Sequence, residues 1–70
     1  MIAPELMQVR MSADKKLGEI VFVVIERTEV YNEWKVLVLD ATDWFRDVFP
    51  PGSTIWWLDE WVRTKTVAIL

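Results

Sequence analysis

Met7, Val9 and Met11 alternate with Gln8 and Arg10, the period-two pattern of a short strand with one buried face. Ser12 to Gly18 then supplies polar turn residues and a closing glycine able to take positive φ, so the chain reverses there. Glu19 to Glu26 is dense in β-branched residues and apolar on both faces, as a central strand requires. Arg27 to Glu33 is polar apart from Val30 and Tyr31 and predicts a hairpin loop. Trp34 to Asp40 predicts the next strand, with Trp34, Val36 and Val38 on one face and Lys35, Leu37 and Leu39 on the other.

From Asp40 to Phe49 the period changes. Trp44, Phe45, Val48 and Phe49 recur at helical spacing, with Asp43, Arg46 and Asp47 on the other side, which predicts one or two helical turns capped by Asp40 or Thr42. Pro50-Pro51-Gly52 ends the helix, and Pro51-Gly52 suits the centre of a type II turn. Thr54 to Leu58 predicts a fourth strand, Asp59 to Arg63 a single tight turn, and Lys65 to Ile69 a fifth strand. The pattern predicts a mainly all-β chain: five short antiparallel strands with one short helical insertion, forming a single domain over residues 1–70.

Composition sharpens this picture at one point. A chain of 70 residues has room for one small core, yet this one is 53% hydrophobic and carries five Trp. With no Cys it has no disulfide to add stability, which leaves aromatic packing and self-association. Trp56 and Trp57 must point to opposite faces if they lie in one strand. Trp57 shares its face with Ile55 and is expected in the core, so Trp56 is either a recognition anchor or covered by the aromatic insertion.

Gly18-Glu19-Ile20-Val21, Trp34 to Leu39, Pro51-Gly52-Ser53 and Ile55-Trp56-Trp57-Leu58, in this order, resemble the small SH3-like barrel proteins encoded by tailed bacteriophages. The resemblance spans residues 7–69 and implies an SH3-like barrel and a phage origin, hence the host cytoplasm or the virion. The segment Asp40 to Ser53 departs from it, being longer and more aromatic than such barrels carry. The acidic Ala-Leu-Tyr-Asp-Tyr signature of peptide-binding SH3 domains is missing, and only Tyr31 and Trp34 are placed for an aromatic cage.

Charge and residue types narrow the function classes. A formal charge of −3, from eleven carboxylates against eight Lys and Arg, offers no basic field for nucleic acid or anionic membrane. The longest apolar run, Ile20 to Ile25, is too short to span a bilayer, and Glu5 and Arg10 interrupt any signal-peptide core. The chain has no His and no Cys, which removes imidazole acid–base chemistry, a Ser-His triad and zinc-finger ligation. Asp40, Asp43 and Asp47 can line one side of a helical turn, and Asp59-Glu60 can join them, but no glycine-bearing calcium loop accompanies either group. They are read as solvated or capping carboxylates, so no catalytic residue, metal, cofactor or small-molecule substrate is expected.

The expectation is a non-enzymatic interaction or structural module whose partner is a protein, first of all a second copy of itself. Its interface is expected at Trp44, Phe45, Val48, Phe49, Trp56 and Tyr31. The alternative is a small acidic inhibitor that presents carboxylates to a host nucleic-acid-binding enzyme in place of phosphates.

Overall fold

The computed structural model describes residues 3–69. The elements follow in the order β1 (Val9–Asp14), β2 (Gly18–Thr28), β3 (Glu33–Ala41), α1 (Asp43–Val48), β4 (Thr54–Leu58), α2 (Asp59–Lys65) and β5 (Val67–Ala68). The strands form one antiparallel sheet in the order β4-β3-β2-β1-β5. Among the described residues it is not closed, and β4 and β5 are its two edges.

β2 takes the central place expected of it. Ile20, Phe22 and Val24 are fully buried on one face, and Trp34, Val36 and Val38 of β3 continue that face. Register shifts between Val21 and Phe22 and between Val24 and Glu26 curl the sheet over this core. The β2–β3 connection is tighter than predicted, because the strands run on to Thr28 and resume at Glu33. Asn32, at φ 53°, takes the left-handed conformation that the short connection needs.

The first strand turns the opposite way from the expectation. Met7 is exposed and Val9 and Met11 are half-buried, whereas Arg10 is 1% exposed. The reason is what lies beneath it. Arg10 Nε donates to Thr66 Oγ1 at 2.8 Å, and Nη2 donates to the carbonyls of Thr66 at 3.0 Å and Val62 at 3.3 Å. The carbonyls at a helix end have no partner in their own helix, and a guanidinium fits that end in both hydrogen bonding and dipole. Nη1 donates to Gln8 Oε1 at 2.7 Å. Burial, and after it the charge of Arg63, lower the Arg10 pKa, and these hydrogen bonds offset the cost of keeping the group charged.

The end of the chain also differs. Where a tight turn was expected there is a helix, α2, and the last strand shrinks to Val67–Ala68. Val62 is fully buried against the core, and Asp59 binds Arg63 four residues on, Nε to Oδ2 at 2.7 Å. A buried apolar anchor and an i,i+4 ion pair make a helical turn better than a loop.

The β1–β2 turn and α1 are locked together. Asp14 Oδ1 accepts from the amides of Leu17 at 3.0 Å and Lys16 at 2.7 Å, and these bonds hold its carboxyl below the usual range. Gly18 takes φ +92°, as predicted, and for a second reason too: a Cβ there would lie 2.5 Å from the Thr42 carbonyl. Thr42 occupies the N-cap position of α1, but its hydroxyl accepts from the Glu19 amide at 2.9 Å. The helix start is satisfied by the turn instead, through Phe45 N–H to the Leu17 carbonyl at 3.1 Å.

Candidate interaction groove

β4 carries the site. Pro50-Pro51-Gly52-Ser53 closes with Ser53 N–H on the Pro50 carbonyl at 3.0 Å and Gly52 at φ +92°, the type II turn that the sequence predicts. It delivers Thr54–Leu58 into register against β3, with Trp57 opposite Trp34 and Trp56 opposite Lys35. Trp57 and Ile55 face inward and pack against the core, as expected. Trp56 and Leu58 face out, 39% and 58% exposed.

The insertion folds over the inner face. Phe49 stacks edge-on against Trp57 at 5.4 Å, and Trp57 against Phe22 at 5.2 Å. Trp44 meets Phe49 at 5.9 Å and Phe45 at 5.7 Å, and Trp61 from α2 lies 4.5 Å from Trp57. The insertion therefore covers Trp57 and leaves Trp56 uncovered on the other face.

Phe45 is the clear correction. It is 3% exposed and belongs to the core, so it is not available to a partner. Phe45 was expected at an interface because 70 residues have room for only one small core. The open sheet instead leaves a mouth that Phe45 plugs. Trp44 and Val48 remain exposed and Phe49 is half-buried.

A groove of about 400 Å³ runs along this side, lined by Leu17, Glu33, Trp44, Phe49, Trp56, Trp57, Leu58 and Trp61. Residues from both faces of one strand line the same groove only where that strand's edge is open, as β4's is. Of the expected interface residues it brings together Trp44, Phe49 and Trp56. Val48 lies outside its lining, and Tyr31 joins Thr28, Glu33 and Trp56 in a neighbouring hollow of about 310 Å³. Sequence reasoning missed Trp61, because α2 was read as a turn, and it also left out Leu17 of the β1–β2 turn and Leu58 beside Trp56 on β4. The Asp59/Arg63 spacing around Trp61-Val62 was the available signal.

The fifth Trp is committed elsewhere. Trp34 is buried, donates Nε1–H to Asp59 Oδ1 at 2.7 Å and carries the Arg27 guanidinium over its ring at 4.6 Å. It takes no part in an aromatic cage. Burial raises the Asp59 pKa, but the Trp34 and Arg63 hydrogen bonds and the charges of Arg63 and Arg27 outweigh it, so the net shift is downward. Asp59 is thus a structural carboxylate.

Asp40, Asp43 and Asp47 are exposed, and Asp40 accepts from the next amide, that of Ala41, at 2.9 Å. Among the described residues no three Asp or Glu converge as a metal-ligand set, and no helix is long and apolar enough to cross a membrane. No family model, curated protein or solved structure matches this chain.

Proposed function

We propose that this chain is a non-enzymatic protein-interaction module that docks on a protein partner through the tryptophan-lined groove around the open edge of β4. The observation that carries this reading is the convergence of Trp44, Trp56, Trp57 and Trp61 on one groove. Tryptophan is the residue most enriched where interfaces concentrate their binding energy, and an apolar surface of this kind is costly to leave in water. The carboxylates support the non-enzymatic part of the reading. Asp14, Asp40 and Asp59 are each engaged in a turn, a local backbone contact or the Trp34 cluster.

The architecture is an SH3-like barrel in this reading, supported by the meander β1-β2-β3-β4, by β5 pairing back onto β1, and by a helix between β4 and β5. The phage origin, with host cytoplasm or virion as the site of action, comes from the sequence resemblance.

The test is affinity capture from infected cells with the parent and with Trp44→Ser/Trp56→Ser, both exposed positions. A protein held by the parent and lost by a folded double variant is the expected result. Equal capture by both, or none by either even after chemical cross-linking, overturns the reading.

A further inference from the structure

The register fixes which backbone groups of β4 are spoken for. Val38 N–H bonds the Ser53 carbonyl at 2.9 Å, and Asp59 N–H bonds the Asn32 carbonyl at 2.9 Å. Between these two ends Val36 pairs with Ile55 and Trp34 with Trp57. Residues 53, 55, 57 and 59 thus direct their backbone groups to β3. Strand alternation then turns the N–H and C=O of Thr54, Trp56 and Leu58 to the open edge.

The two edges of the sheet are not equally guarded. β5 is two residues long, too short to template another strand. β4 is five residues long, and Thr54-Ile55-Trp56-Trp57-Leu58 contains neither proline nor any charge, the devices that usually block edge pairing.

We infer that two copies of the chain pair through β4, antiparallel about a two-fold axis at Trp56, joining their sheets edge to edge. This deepens the docking reading above and rests on it, by naming the partner as a second copy. In this register Trp56 faces Trp56 of the second copy and Thr54 faces Leu58, and each pair exchanges both backbone hydrogen bonds. The charges allow it. Despite the net charge of −3, no like charges meet at the junction, and the flanking Glu33 and Lys35 lie one strand back on β3. A second copy also extends the apolar inner side of the groove, since this register sets Trp57 opposite Ile55 of the second copy.

The area sets the strength. The smallest specific interfaces bury about 600 Å² per partner. That is about one-eighth of this chain's 4654 Å², and Trp44, Trp56 and Leu58, 45%, 39% and 58% exposed, supply only part of it. The dimer therefore belongs at the weak, reversible end, with a dissociation constant of roughly 10 micromolar to 1 millimolar.

Sedimentation equilibrium from about 10 micromolar to 1 millimolar, bracketing that range, tests this with Thr54→Lys, Leu58→Glu and the two combined in one chain. All positions changed are exposed, and circular dichroism checks that each variant folds. The parent is expected to dimerise, each single variant to weaken the dimer at least tenfold, and the combined variant to regain it, because the axis sets each new lysine against a new glutamate. A parent monomeric throughout, single variants that dimerise like the parent, or a combined variant that stays monomeric each overturns the pairing. Trp44 and Trp61 are untouched in these variants. Capture of another protein that still depends on Trp44 and Trp56 would then leave the docking reading standing while self-pairing fails.

Discussion

At the β5 edge of the sheet a buried arginine ties strand to helix, while at the β4 edge tryptophans from both faces of one strand meet at the surface. The first region satisfies its own polar groups. Arg10 reaches the carbonyls of Val62 and Thr66, and the Thr66 hydroxyl donates to Val62 while accepting from Arg10. The second region has its inner half buried by Phe45 and Phe49 and its outer half, with a row of strand backbone, left open. The difference teaches that exposed apolar surface here is not a by-product of small size. The same chain buries a charged side chain almost completely where closure is needed, so the aromatic edge is a separate, locally specified feature.

The largest expected effect is on the sealed side. Arg10→Ala removes the guanidinium from the buried carbonyls of Val62 and Thr66 and should cost about 3 to 5 kcal/mol, a large share of the stability of so small a domain. Chemical denaturation measures it. A loss under about 1 kcal/mol would mean that the β5 side is held by packing alone and would erase the contrast.

Next in size is the joint between the regions. Gly18→Ala forces an L residue to a positive φ and sets its Cβ against the Thr42 carbonyl, at an expected cost of about 2 to 4 kcal/mol. Gly52, with the same φ but nothing near its missing Cβ, should lose only about 1 to 2 kcal/mol on the same change. Equal losses at the two glycines would show that the turn conformation, not the contact with α1, sets the cost.

Acid should loosen the Trp34 cluster before it affects the groove. The Asp59 pKa is lower in the folded chain than in the unfolded one, so its contribution is present above the ordinary carboxylate range near pH 4 and is lost as pH falls through the folded value. Asp59→Asn should therefore flatten the acid limb of a stability-versus-pH curve and leave the neutral-to-alkaline limb parallel to the parent's. An unchanged acid limb would remove Asp59 from the account.

The smallest effect belongs to the open side. Trp56→Ser loses a cation–π contact with Lys35 at 5.9 Å and the covered part of a ring that is 39% exposed, so stability should fall by about 1 kcal/mol. Phe45→Ala, one residue from exposed Trp44, should by contrast cost about 3 to 5 kcal/mol.

The sheet was legible because its signals are local. The β-branched run of β2, the alternation in β3 and the Pro-Gly turn before β4 each state their own structure. The inward side of Trp57 followed from its sharing a face with Ile55. What could not be read depended on distant partners. Arg10 looks like a solvent-facing residue until the end of α2, 52 to 56 positions away, supplies its acceptors. Phe45 and Phe49 looked surplus because the mouth they fill exists only in the folded, unclosed sheet. The groove was half visible. Trp44, Phe49 and Trp56 were expected at a surface, but Trp61 joins them through a helix whose short period was taken for a turn.

The central claim is that the open β4 edge, and not the sealed β5 edge, is where this chain meets another. The most direct measurement is a dilution series of amide and indole NMR spectra from about 1 millimolar to 20 micromolar, spanning the affinities expected of a small interface. The account predicts concentration-dependent shifts confined to the amides of residues 54–58 and the indole N–H groups of Trp44, Trp56 and Trp61, with Trp34 and the β1–β5 amides unchanged. Spectra that do not change on dilution, or shifts centred on β1 and β5, would contradict it.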